Sequence, residues 1–107
     1  MARILTLWRM NPLAPWPKDP VEAAKLREMM WAAVDDLMKK GIIKEFGYFL
    51  NGTSGYTIGE GDIAEAFKDV NMFLPYYDQE VHEIISYEKG KEILRAVAKA
   101  QAEAAKK

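Results

Sequence analysis

The chain has no cysteine, which removes disulfides, thiolate nucleophiles and thiolate metal sites together. It has one histidine, His82, so a metal site could draw only on carboxylates beside it. No ligand spacing is present, and neither a metal nor another cofactor is expected. An excess of charge of one sign is also missing. Fifteen basic side chains face sixteen acidic ones over 107 residues, a formal net charge of -1. No overall field draws such a chain to nucleic acid or anionic lipid, and neither is expected as a partner. Nowhere do about 18 apolar residues follow one another, as a membrane span requires. The opening stretch MARILTLWRMNP is interrupted by Thr6 and Arg9 and closed by Pro12. That pattern suits a first strand and not a signal peptide, so the expected location is the cytoplasm.

Half of the residues are hydrophobic, 11% are aromatic and 29% are charged, the profile of a folded globular domain spanning residues 1–107. RILTLWRM, residues 3–10, is apolar on both parities and reads as an inner strand covered on both faces. A proline-rich loop, residues 11–20, follows and ends in a helix start, with Asp19 as cap and Glu22 closing the box. Helical spacing then carries Val21, Leu26, Met30, Val34, Leu37 and Met38 to the stop at Lys39-Lys40-Gly41. IIKEFGYFL, the turn NGTSG and YTIGE read as an antiparallel hairpin. A second helix begins at Asp62 with Ile63, Ala64, Phe67, Val70 and Phe73 on one side. DQEVHEIISY gives a fourth strand, and residues 88–107 a terminal helix. The order β, α, β, β, α, β plus a helix is the ferredoxin-like α+β arrangement, a four-stranded antiparallel sheet with helices on one face. The other face would be left apolar, so a homodimer or higher multiple is expected to form through it, with Ile4, Trp8 and Met10 in the seam.

Gly59-Glu60-Gly61-Asp62-Ile63-Ala64 fits the formal pattern of a dinucleotide-binding turn. Asp62 and Glu65, as a capping box, would occupy the amides that a pyrophosphate needs, and one split sheet offers no second nucleotide half. The expected role is structural, with Gly59 and Gly61 turning a strand sharply into a helix.

The run Phe73-Leu74-Pro75-Tyr76-Tyr77-Asp78-Gln79-Glu80-Val81 resembles the passage from helix to last strand in muconolactone isomerase and its relatives. The order of elements from about residue 3 to residue 87 is similar as well, and more broadly resembles the dimeric α/β barrel superfamily, which includes antibiotic-biosynthesis monooxygenases. The resemblance implies two sheets packed face to face, with a ligand cavity between sheet and helices or at the interface. It departs from the isomerase pattern in the loop at 11–20, in His82 and Glu83, and in the terminal helix, and no catalytic residue is carried over from it.

Candidates for chemistry come from the residues themselves. Asp78, Glu80 and His82 alternate and share one face of a strand. Glu80 and His82 could therefore form an acid/base pair that moves a proton. Trp8, Arg9 and Tyr48 are the candidate ligand contacts, Arg9 to hold a carboxylate and the aromatics to wall a small-molecule site. Trp31 reads as packing, and Trp16 as a lid, a docking residue or a core residue. Two readings compete. One is a cofactor-independent isomerase or oxygenase acting on a small hydrophobic or aromatic organic acid or lactone. The other is a non-catalytic ligand-sensing or interaction dimer. An RNA-recognition module shares the element order, but residues 42–50 lack its basic and aromatic signature.

Overall fold

The computed structural model describes residues 2–106. The elements are β1 (Ala2–Met10), α1 (Pro20–Lys39), β2 (Ile43–Tyr48), β3 (Ser54–Gly61), α2 (Ile63–Asn71), β4 (Tyr77–Ile84) and α3 (Tyr87–Ala105). All strand pairs are antiparallel and the sheet order is β2-β3-β1-β4, a ferredoxin-like α+β fold with an added C-terminal helix. Strand β1 is an inner strand, as its apolar content requires.

Local sequence explains the helix ends. Pro20 occupies the first turn of α1, and the Asp19 carboxylate accepts from the Val21 amide at 3.1 Å, where a proline costs no hydrogen bond. Glu22 does not close a box; it lies 3.4 Å from Lys25. At the other end Gly41 takes φ +77. There the Gly41 amide donates to Met38 O at 3.0 Å and the Ile42 amide to Leu37 O at 3.0 Å, the bonding of a Schellman stop. The β2–β3 turn is fixed by Asn51, whose side-chain oxygen accepts from the Thr53 amide at 3.2 Å and from Ser54 Oγ at 3.0 Å, with Gly52 at φ +75.

Two expectations about the glycine stretch before α2 are overturned. Asp62 is the N-cap of α2, but its side chain makes no capping bond, so no capping box fills that helix end. Gly59 and Gly61 lie within β3 and not in a turn, and neither has positive φ. Gly59 is needed for close approach: a Cβ there would meet Ile42 O at 2.6 Å, where the chain leaving α1 crosses the sheet.

The sheet has two unlike faces. Facing the helices, β1 places Ile4, Thr6 and Trp8, which with Leu37 of α1 and Gly55 of β3 are the best-buried residues described. The expectation that Ile4 and Trp8 lie in an open-face seam is therefore wrong. The open face takes the other parity, Arg3, Leu5, Leu7 and Arg9. Opposite them, and so on the same face, the register sets Ile58, Tyr56 and Glu60 of β3 and Asp78, Glu80, His82 and Ile84 of β4. The reading of β1 had the alternation right and the faces reversed. Two apolar parities look equivalent until the helix side is known.

Candidate functional site

Between the helix side of the sheet and the inner stripes of α1 and α2 lies a cleft of about 390 Å³. It is open because three of the four β3 positions on this face, Gly55, Gly59 and Gly61, carry no side chain. Gly55 in particular makes room for Trp8, since a Cβ there would overlap the indole ring.

Trp8 is the centre of an aromatic wall. Its ring stacks on Phe46 with centroids 5.4 Å apart and meets Tyr48 and Tyr77 edge-on at 5.5 Å each, arrangements that the ring quadrupoles favour. Tyr48 continues the wall to Trp31 of α1, whose indole nitrogen donates to the Tyr48 hydroxyl at 2.9 Å. The Arg27 guanidinium lies 5.7 Å from the Trp31 ring centroid. On the other flank, Trp16 of the proline-rich loop packs edge-on against Tyr76 at 5.0 Å and Tyr77 at 5.7 Å. Its indole nitrogen donates to Asn11 O at 2.6 Å. Trp16 is thus packed within its own protomer. Burial pushes the Tyr77 hydroxyl above the usual tyrosine range, reinforced by Tyr48 and opposed by Arg27.

Two polar atoms in this cleft lack partners. Trp8 Nε1 and Asp69 Oδ2 are both buried with no hydrogen-bond partner, and both residues line the cleft. Trp8 is only 7% exposed, so its N–H has given up water and received nothing in return. Asp69 stands on the inner face of α2, where Ala66, Val70 and Phe73 are its neighbours at helical spacing. Desolvation raises its pKa above the ordinary carboxylate range, Glu65 adds to this, and Lys68 and Lys40 oppose it. Nearby, Gln79 of β4 donates to Val70 O at 2.7 Å and ties the sheet to α2.

The expected site residues divide between the two faces. Trp8 and Tyr48 line the cleft. Arg9 is on the open face, 3.7 Å from Asp78 and largely solvated. Glu80 and His82 do meet, with Nε2 3.0 Å from the carboxylate oxygen, but also on the open face, across the sheet from the cleft. The alternation that unites Glu80 with His82 also separates Trp8 from Arg9. Asp69 and Phe46 were not singled out from sequence, whereas Tyr77 belongs to the aromatic residues that could wall a pocket. An acid on an apolar helix stripe was the available signal for Asp69, and parity with Tyr48 for Phe46. Among the described residues, no three His, Asp or Glu side chains are grouped to hold a metal ion. No described helix is long and apolar enough to cross a membrane. No protein-family model matches the chain, and no curated protein matches it.

Proposed function

We propose that this protein binds a small, largely aromatic organic molecule in the cleft between sheet and helices, and that it does so as a non-catalytic carrier or sensor. The observation that carries the reading is a cleft of about 390 Å³ walled by the rings of Trp8, Phe46, Tyr48 and Tyr77. Ligand sites combine such apolar walls with a few polar groups, and the Tyr48 and Tyr77 side chains belong to the same lining. The cleft volume suits a molecule of one or two rings. The isomerase or oxygenase reading assigned proton transfer to Glu80 and His82, and these lie across the sheet from the cleft, so binding is favoured over catalysis. The test is isothermal titration with a panel of one- and two-ring aromatic molecules, run on the parent and on Tyr48→Leu, which removes one ring of the wall and leaves Trp8 in place. Saturable binding that weakens about tenfold in the variant is expected. A panel that produces no heat at millimolar concentration would end the reading.

The second part of the proposal is a homodimer through the open face, in line with the resemblance of residues 73–81 to the muconolactone isomerase group. The support lies in the makeup of that face. Leu5 and Leu7 of β1 with Tyr56 and Ile58 of β3 form its centre, and Arg3, Arg9, Glu60, Asp78, Glu80 and His82 surround them. Both signs of charge on one face allow a twofold axis to set basic groups of one copy against acidic groups of the other.

A further inference from the structure

The C-terminal helix α3 is left uncovered by the rest of the chain. Every residue from Glu92 to Lys106 is exposed, and Ile93, Leu94 and Val97 are each between 44% and 68% exposed. The molecule is accordingly drawn out to 70 × 28 × 25 Å. Its radius of gyration is 19.0 Å, where a compact chain of this length has about 13 Å. A helix of 19 residues standing alone is marginal in water and draws most of its stability from a covered apolar face. Such a face is present. Gly90, Ile93, Val97, Ala100 and Ala104 recur at alternating steps of three and four, the a and d positions of a heptad seam, with Leu94 beside them. Glycine and alanine at three of these five positions let two helix axes come close. They offer a lipid surface little to hold, since the helix has neither tryptophan nor phenylalanine.

Charge selects the occupant and its direction. On the flank of the seam, Glu103 has no ion-pair partner among the described residues. Lys89 has only an exposed contact with Glu92 of its own helix, at 3.7 Å, and such pairs contribute little. Laid antiparallel on a second copy of itself, with Ile93 opposite Val97 of the partner subunit, α3 would set Lys89 beside Glu103 of the partner subunit, twice by symmetry. Leu94 would then meet Leu94 of the partner subunit. Shifting the pair by one heptad either way, or turning it parallel, leaves neither charge an opposite partner. From the uncovered seam and the one register that matches its charges, we infer that α3 is an association element, forming an antiparallel helix pair with α3 of a second copy of this chain. The contact is isologous and does not depend on the open face of the sheet.

The test is zero-length carbodiimide cross-linking of the full chain, read by peptide mass spectrometry. Lys89 and Glu103 of one helix lie about 21 Å apart along its axis, so a cross-link between them can form only between copies. That cross-link is expected in the parent and should be lost in Val97→Glu, which puts a charge in the seam. Sedimentation velocity then measures the register in a Leu7→Glu background, which weakens association through the open face. There Lys89→Glu should weaken self-association about tenfold, and adding Glu103→Lys should restore it to within about twofold. A parent without the Lys89–Glu103 cross-link overturns the pairing. So does a double variant that associates no more tightly than Lys89→Glu alone, because the two charges would then not face each other. Co-sedimentation of the parent with phosphatidylserine vesicles, lost in Val97→Glu, would overturn it in favour of a membrane surface.

Discussion

On the helix side of the sheet, β1 buries Ile4, Thr6 and Trp8, each less than a tenth exposed, whereas on the other side Leu5 and Leu7 are only half-buried and are flanked by Arg3 and Arg9. The two faces carry similar apolar content on the same strand, yet only one has partners within the chain. Trp8 has three ring neighbours and a glycine opposite it. Leu7 has Tyr56 and Glu80 beside it and open space above. Burial therefore follows from the partners each face finds within the chain and not from strand composition. A tryptophan in the covered face is a matter of folding and ligand binding, and a leucine in the open face is a matter of association. The same division runs through the charged residues, since Arg9–Asp78 and Glu80–His82 are solvated pairs and Asp69 is not paired at all.

The comparison is broken most forcefully by removing Trp8. Trp8→Ala deletes the ring that Phe46, Tyr48 and Tyr77 pack against, and should cost about 3–5 kcal/mol of stability by urea denaturation. A cost below about 1 kcal/mol would mean that the helix side is no better packed than the open side. The matching change on the other face is Leu7→Glu. It places a charge at the centre of the proposed seam and should weaken self-association about a hundredfold, ~3 kcal/mol, while leaving the fold of each protomer intact. Light scattering reads this directly, and a parent chain that is monomeric at micromolar concentration would remove the dimer from consideration. A smaller effect sharpens the account of the cleft. Gly55→Ala drives a methyl group into the Gly47 carbonyl oxygen and the Trp8 indole and should cost about 1–3 kcal/mol. The aromatic near-ultraviolet circular dichroism should change with it, because the ring must move; an unchanged spectrum would show that Trp8 is not held against β3.

Much of this frame was legible beforehand. The order of elements followed from periodicity: α1 between Asp19 and Gly41 had a cap, a stripe and a stop, and the Asn51-Gly52 turn fixed the β2–β3 hairpin. What periodicity cannot give is which parity of β1 meets the helices, because Leu5 and Leu7 are as apolar as Ile4 and Trp8. Only the pairing of Trp8 with Gly55 decides it, and a glycine becomes informative once the register is known. For the same reason the acid/base pair Glu80–His82 could be read as a pair and not placed relative to the cleft. The cleft itself depends on Gly55, Gly59 and Gly61 leaving space in β3, and the sequence reading assigned two of these to a turn. Asp69 was overlooked because an aspartate in a nine-residue helix ordinarily faces water. Its significance comes from packing, which orients the stripe of Ala66, Val70 and Phe73 toward the sheet.

The smallest expected effect is also the most diagnostic of the covered face. Burial raises the Asp69 pKa, with Glu65 acting in the same direction from its own helix. The cations that oppose the shift are Lys68 on α2 and Lys40 at the end of α1, the latter bonded to Asp36 at 2.8 Å. A carboxyl whose pKa is higher in the folded than in the unfolded chain binds its proton more tightly when folded. Its contribution is thus favourable at low pH, declines as the pH rises from the ordinary aspartate range through the raised pKa, and is flat above it. Asp69→Asn cannot titrate, so it should melt close to the parent near pH 3 and slightly above it near pH 7, with no ligand present. Thermal melts of both proteins across that range provide the measurement. A variant that melts below its parent at neutral pH would show that the Asp69 carboxylate is satisfied within the protein and that the helix side of the sheet stabilises the charged form.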